Sequence, residues 1–88
     1  MKKLLLDGNS FGDEGFSLIC NSLIYSKIEY LDLRNNQLTE KSLKLLKNLA
    51  LKNRNLRKIS FQNNNLKENQ FSEWILTFDN LKVILELE

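Results

Sequence analysis

From residue 28 the chain alternates apolar and polar residues in an uneven pattern, Ile28-x-x-Leu31-x-Leu33-x-x-Asn36-x-Leu38. The same pattern returns as Leu56-x-x-Ile59-x-Phe61-x-x-Asn64-x-Leu66. It also opens the chain, as Met1-x-x-Leu4-x-Leu6-x-x-Asn9-x-Phe11. Five positions agree three times over, at offsets of 27 and 28 residues, a period that marks a repeat architecture. A fourth start, Leu81-x-x-Ile84, follows 25 residues after the third. It places Glu86 where the next apolar residue belongs.

Within each block the residues alternate. In Tyr30-Leu31-Asp32-Leu33-Arg34 the leucines share one side and the polar residues the other, the period of a strand with one buried face. Between blocks the period changes. Phe16, Leu43 and Phe71 lie fifteen residues after each start, Ile19, Leu46 and Trp74 eighteen after, and Leu23, Ala50 and Phe78 twenty-two after. Steps of three and four make the apolar stripe of a helix. The stripes predict helices over 13–25, 40–52 and 68–79, with Thr39 as the cap of the second. Gly12-Asp13-Glu14 and Lys67-Glu68-Asn69 put acids where the helix dipole favours them.

Strand, turn and helix in repeated order make each strand parallel to the last. The expected fold is an α/β right-handed solenoid, with a short parallel sheet on the concave side and helices on the convex side. It comprises about three repeats and a terminal strand: one domain over 1–88, divided as 1–27, 28–55, 56–80 and a partial 81–88.

These residues resemble the leucine-rich repeats, whose consensus is L-x-x-L-x-L-x-x-N-x-L. The 27–28-residue length and helical second half resemble the ribonuclease-inhibitor subtype. Asn9-Ser10-Phe11-Gly12-Asp13-Glu14-Gly15-Phe16 is similar to that subtype's turn into its helix. The third repeat departs from it, with Lys67-Glu68-Asn69-Gln70 instead. The resemblance implies that Asn9, Asn36 and Asn64 sit inside the turn after each strand and link neighbouring coils. It also implies protein binding on the concave face.

Composition narrows the function. Thirteen Lys and Arg against eleven Asp and Glu leave a net charge of +2, spread along the chain. Nucleic-acid binding calls for a dominant basic patch, so it is not expected. The densest basic stretch, Lys52 to Lys58, is interrupted by Asn53, Asn55 and Leu56 and reads as a solvated loop. Cys20 is the single cysteine and no Asn-x-Ser/Thr sequon occurs, which points to a reducing, intracellular setting, with the cytoplasm as the expected compartment. The apolar run Leu4–Leu6 is too short for a signal peptide, and no stretch reaches the length of a membrane span.

The chain has no histidine, and Ser17, Ser22 and Ser26 have no activating partner, so no enzyme and no catalytic residue is expected. Asp7-x-Asn9-x-Phe11-Gly12 opens like a calcium loop but has Leu18 where the anchoring glutamate belongs. The glycines do not form a phosphate loop. No metal and no cofactor is expected. Cys20 and Trp74 both fall on helix stripes and read as core, with Trp74 only partly covered.

The candidate partner-binding residues are the strand positions that face away from the core. Stacking the repeats gives three columns: Lys3, Tyr30, Lys58 and Val83; Leu5, Asp32, Ser60 and Leu85; Asp7, Arg34, Gln62 and Leu87. From these we select Lys3, Tyr30, Asp32, Arg34, Lys58 and Gln62, with Val83, Leu85 and Leu87 as an apolar end. Tyr30 has no core reason to stand on an open face. Ile84 is assigned to the core side of the last strand. A last strand apolar on both faces calls for cover, by another repeat, another chain or a copy of this protein. The expected function is a protein–protein interaction module, binding through the concave face or the terminal strand. Its alternatives are a structural piece of a large assembly and, by resemblance, a regulator of a small GTPase or an immune-type sensor.

Overall fold

The computed structural model describes residues 2–88. Met1, the first apolar position of the opening repeat, lies outside them. The chain runs β1 (Lys3–Leu5), α1 (Gly12–Leu23), β2 (Tyr30–Asp32), α2 (Glu40–Lys52), β3 (Lys58–Ser60), a 3-10 turn (Glu68–Gln70), α3 (Phe71–Asp79) and β4 (Ile84–Glu86). The four strands form one parallel sheet in chain order. The expected α/β architecture, parallel strands alternating with helices, is therefore present.

The core lies between sheet and helices. Leu31, Leu33, Ile59 and Phe61 come from the strand blocks, and Phe16, Leu43, Leu46 and Phe78 from the helix stripes; all are essentially free of solvent. Cys20 is 5% exposed and its thiol donates to the Leu45 carbonyl at 3.7 Å, so it packs as a small apolar residue. Trp74 is half-buried, its ring 6.3 Å from that of Phe78.

Helix ends follow local chemistry. Thr39 caps α2, its hydroxyl accepting from Lys41 N–H at 3.2 Å. α1 stops at Leu23, two residues early, and the Leu23 carbonyl accepts from the Ser26 N–H at 3.1 Å and hydroxyl at 2.9 Å. The first turn of the third helix is tightened to 3-10. Gly15 has a steric reason: a Cβ there would lie 2.8 Å from Cβ of Phe11.

The turn after each strand repeats a backbone feature. Gly8, Asn35 and Asn63 hold the same slot, with φ of 76°, 60° and 59°. That left-handed region is open to glycine and, among other residues, most readily to asparagine.

The three turn asparagines form a ladder. Asn64 Nδ2 donates to the carbonyls of Leu33 and Phe61, and its Oδ1 accepts from the N–H groups of Asn36 and Leu38. Asn36 Nδ2 donates to the carbonyls of Leu6, Leu33 and Arg34, and its Oδ1 accepts from Asn9 N–H. Asn36 and Asn64 thus each serve their own turn and the preceding one, whereas Asn9 serves its own through the Leu6 carbonyl. Asn36 is fully buried, whereas Asn9 is exposed.

A second buried asparagine sits at the opposite end of the helices. Asn53, 3% exposed, donates to the carbonyls of Leu23 and Ser26, both at 2.9 Å. It belongs to the stretch read above as a solvated loop. Its sequence signal was its slot, which Ser26 occupies one repeat earlier.

The last strand departs from expectation. Ile84, not Val83, pairs with Lys58, and Leu85 pairs with Ile59. Val83, Leu85 and Leu87 are 3%, 5% and 6% exposed and face the core, while Ile84 is 63% exposed. The reason lies in the alternation Val83-Ile84-Leu85-Glu86-Leu87-Glu88. Turning Val83, Leu85 and Leu87 inward leaves both glutamates outside. The opposite register would bury two carboxylates, which costs far more than exposing one isoleucine. Lys82, at φ 64°, takes up the turn that brings this register about.

Candidate functional site

The face of the sheet turned away from the helices carries three rows of side chains. The pairing sets Lys3, Tyr30, Lys58 and Ile84 in one row and Leu5, Asp32, Ser60 and Glu86 in the next. Asp7, Arg34, Gln62 and Glu88 follow as a third. The structure thus brings Lys3, Tyr30, Asp32, Arg34, Lys58 and Gln62 together on one face, as expected. Val83, Leu85 and Leu87 are not part of it; Ile84, Glu86 and Glu88 take their places.

Two polar clusters organise the face. In the first, Ser60 Oγ lies 2.9 Å from the Tyr30 hydroxyl and 2.8 Å from Glu86 Oε1. The serine has one proton, and ionised Glu86 can only accept. Ser60 therefore donates to Glu86, and Tyr30 donates to Ser60. Lys58 closes the cluster, with Nζ 3.4 Å from Glu86 Oε2 and 5.3 Å from the Tyr30 ring centroid. The Ser60 hydroxyl first, and then the Lys58 charge, holds the Glu86 carboxyl below the usual range against its partial burial. Tyr30 is consequently held at its hydroxyl and over its ring.

The second cluster is built on Arg34. Its Nε and Nη2 donate to the two oxygens of Asp32 at 3.0 and 2.9 Å, a two-pronged pair. The guanidinium also lies 3.6 Å from Asp7, whose other oxygen accepts from Asn35 Nδ2 at 2.7 Å. Asp32 is only 3% exposed, and the Arg34 guanidinium holds its carboxyl below the ordinary value. The Asp32 pair in turn pushes Arg34 upward, so it is always charged. Gln62 reaches the Glu88 carbonyl through Nε2 at 3.4 Å, and its buried Oε1 accepts no hydrogen bond among the described residues.

A further cluster, missed in the sequence, ties helix to helix. Asp13 accepts from Thr39 N–H at 2.9 Å and from the hydroxyls of Thr39 and Ser42, each at 2.6 Å. Burial raises this carboxyl, but the hydrogen bonds outweigh it and the net shift is downward. Glu40 repeats the motif, accepting from Gln70 Nε2 at 3.0 Å. Asp13 and Glu40 occupy one slot of the repeat, and that recurrence was the available signal.

Residues 27–49 match the family model described as Leucine Rich Repeat. That match, centred on β2 and α2, supports a leucine-rich repeat protein. Leucine-rich repeats are generally non-enzymatic interaction modules and imply protein partners. Sixty-five residues, 72% of this chain, are 38% identical to the NACHT, LRR and PYD domains-containing protein 3 of Homo sapiens, and equally to that of Macaca mulatta. The Bos taurus protein of the same name is also 38% identical over 65 residues. The chain spans 6% of the length of these relatives. No solved structure matches it. Among the described residues no helix is long and apolar enough to cross a membrane.

Proposed function

We propose that this chain is a non-enzymatic interaction module of ribonuclease-inhibitor-like leucine-rich repeats, wound as a right-handed solenoid, that holds a protein partner on its open, concave sheet face. The observation that carries this reading is the pair of hydrogen-bonded clusters, Tyr30–Ser60–Glu86–Lys58 and Asp7–Arg34–Asp32. Their side chains are fixed before any partner arrives, so little rotamer freedom is lost on docking. Tyr and Arg, central to the two clusters, are the types that carry most interface energy. The cations Lys58 and Arg34 are already matched by carboxylates, which favours a protein partner over nucleic acid. A free, buried Cys20 suits a reducing, intracellular compartment.

A photo-crosslinking amino acid at Lys58 tests the reading in native extract, with one at the exposed Lys44 of α2 as control. The expected result is a discrete adduct from position 58 that Arg34→Ala weakens, and none from position 44. Adducts only from position 44, or an adduct at 58 indifferent to Arg34→Ala, would overturn it. A second reading, a fixed part of a larger assembly, draws on the half-covered apolar residues Leu4, Leu6 and Phe11 beside β1. A stoichiometric, salt-resistant complex supports that reading, and exchangeable partners the first.

A further inference from the structure

Among the described residues β1 is the outermost strand on one side of the sheet and pairs with β2 alone. Leu6 N–H donates to Asp32, Gly8 N–H donates to Arg34, and the Lys2 carbonyl accepts from Glu29 and Tyr30. The even-numbered residues thus direct their backbone groups at β2. Direction alternates along a strand, so the backbone groups of Lys3, Leu5 and Asp7 point outward from the sheet.

The side chains around this edge are also underused. Leu5 is 63% exposed on the open face, between exposed Lys3 and Asp7. On the core side, Leu4, Leu6, Phe11 and Ile19 are only partly covered. Their counterparts one repeat later, Leu31, Leu33, Leu38 and Leu46, are completely buried. The last-strand end, by contrast, turns its apolar residues inward.

We propose that a second copy of this chain adds to β1 in antiparallel fashion, about a two-fold axis through Leu5, and continues the sheet. Lys3 then lies opposite the partner's Asp7, Leu4 opposite the partner's Leu6, and Leu5 opposite the partner's Leu5. Backbone geometry and charge together select this register. Hydrogen-bonded pairs in an antiparallel ladder need outward-pointing residues opposite one another, so odd positions must face odd positions. Centring on Leu4 meets that condition but sets Lys3 against leucine, with no charge match. Parallel addition sets Lys3 beside the partner's Lys3. Centring on Leu5 matches opposite charges at both ends, with apolar residues between on both faces. The contact is isologous and closes at two copies, which is how an exposed edge is satisfied without open-ended growth.

Sedimentation velocity of the full chain over a wide concentration range tests this, together with Lys3→Glu and Asp7→Lys. The parent should show a reversible monomer–dimer equilibrium. Each variant alone replaces two attractions by two repulsions and should self-associate about tenfold more weakly or worse. An equimolar mixture of the two variants restores both charge matches and should dimerise again. Circular dichroism checks that both variants fold. Should Asp7→Lys not fold, Lys3→Glu and concentration-dependent slowing of amide exchange at Leu5 and Asp7 decide the matter. A parent that stays monomeric, a dimer that neither variant weakens, or a mixture no more associated than its components would overturn the proposal. Asp7 also touches Arg34, but Lys3 belongs to neither open-face cluster, so the Lys3→Glu result is independent of the partner test at position 58.

Discussion

Replacing each ladder asparagine by leucine should destabilise the protein by amounts that differ in a definite order. Asn64→Leu removes the Oδ1 that accepts from the N–H groups of Asn36 and Leu38 at 3.0 and 2.8 Å. Both residues are completely buried, and among the described residues no other acceptor serves either group. A buried donor left unpaired costs about 1–3 kcal/mol, so the pair costs about 2–6 kcal/mol. Asn36→Leu deletes four hydrogen bonds, yet each carbonyl it serves keeps another donor. Leu6 retains Asn9 Nδ2, Leu33 retains Asn64 Nδ2, and Arg34 retains the Gly8 N–H. Only the Asn9 N–H loses its acceptor, at an exposed residue that water reaches, so the cost is about 1–3 kcal/mol. Asn9→Leu leaves the Leu6 carbonyl still bonded to Asn36 and should cost under about 1 kcal/mol. Urea unfolding followed by Trp74 fluorescence and by circular dichroism measures all three against a total of about 5–15 kcal/mol. Equal losses, or a larger loss for Asn36→Leu than for Asn64→Leu, would refute the claim that orphaned backbone donors, rather than the number of bonds deleted, set the cost.

Acid should unfold the protein in a predictable window. Asp13, Asp32 and Glu86 all have lowered folded-state pKa values, so the stability they confer is complete above the unfolded carboxylate values near about 4 and is lost as pH falls below them towards the folded values. Urea midpoints should be flat from neutrality to about pH 5 and fall below about pH 4, and a midpoint that rises on acidification contradicts the assignment. The Cys20 thiol, pushed up to about 11 by burial, should resist iodoacetamide at neutral pH until the protein unfolds; labelling of the native protein at the rate of a free thiol would show the α1 packing to be wrong. The register of β4 is tested by Leu85→Ala, expected to cost about 2–5 kcal/mol, against Ile84→Ala, expected to cost well under that. A reversed order in thermal melts would restore the alternative register.

Much of the fold is legible because the repeat is counted three times. α2 matches its stripe and cap residue for residue, and the open-face rows of β1 to β3 follow from fixed offsets between Lys3, Tyr30 and Lys58. The last strand was not legible from offsets, since Leu81 and Ile84 satisfy the apolar pattern as well as their neighbours do. Only Glu86 and Glu88 break the tie, and the cost of burying them outweighs the count. On the open face, residue type and position were readable but covering was not. Asp32 and Ser60 are polar and outward, yet Arg34, Tyr30 and Glu86 close over them from two residues or a strand away. Asp13 shows the same limit: a carboxylate at a helix start suits its own dipole, but its role as cap for the next helix depends on which helix lies alongside.

Aligned positions in the four strands, Lys3, Tyr30, Lys58 and Ile84, are separated by 27, 28 and 26 residues, yet the sheet runs without a bulge. The variation between the last two steps is absorbed around Lys82, after α3, while the span from strand to turn asparagine never varies. The chain therefore behaves like links with rigid heads and adjustable tails. A residue inserted between Asp79 and Lys82 disturbs only a local turn, in which Leu81 and Lys82 N–H donate to the Phe78 and Asp79 carbonyls, and should cost less than one inserted in the strand-to-asparagine span. A residue inserted between Leu33 and Asn36 would carry the asparagine past every carbonyl it serves. Length drift in such a sequence is thus confined to one side of the molecule, and the sheet face is insulated from it.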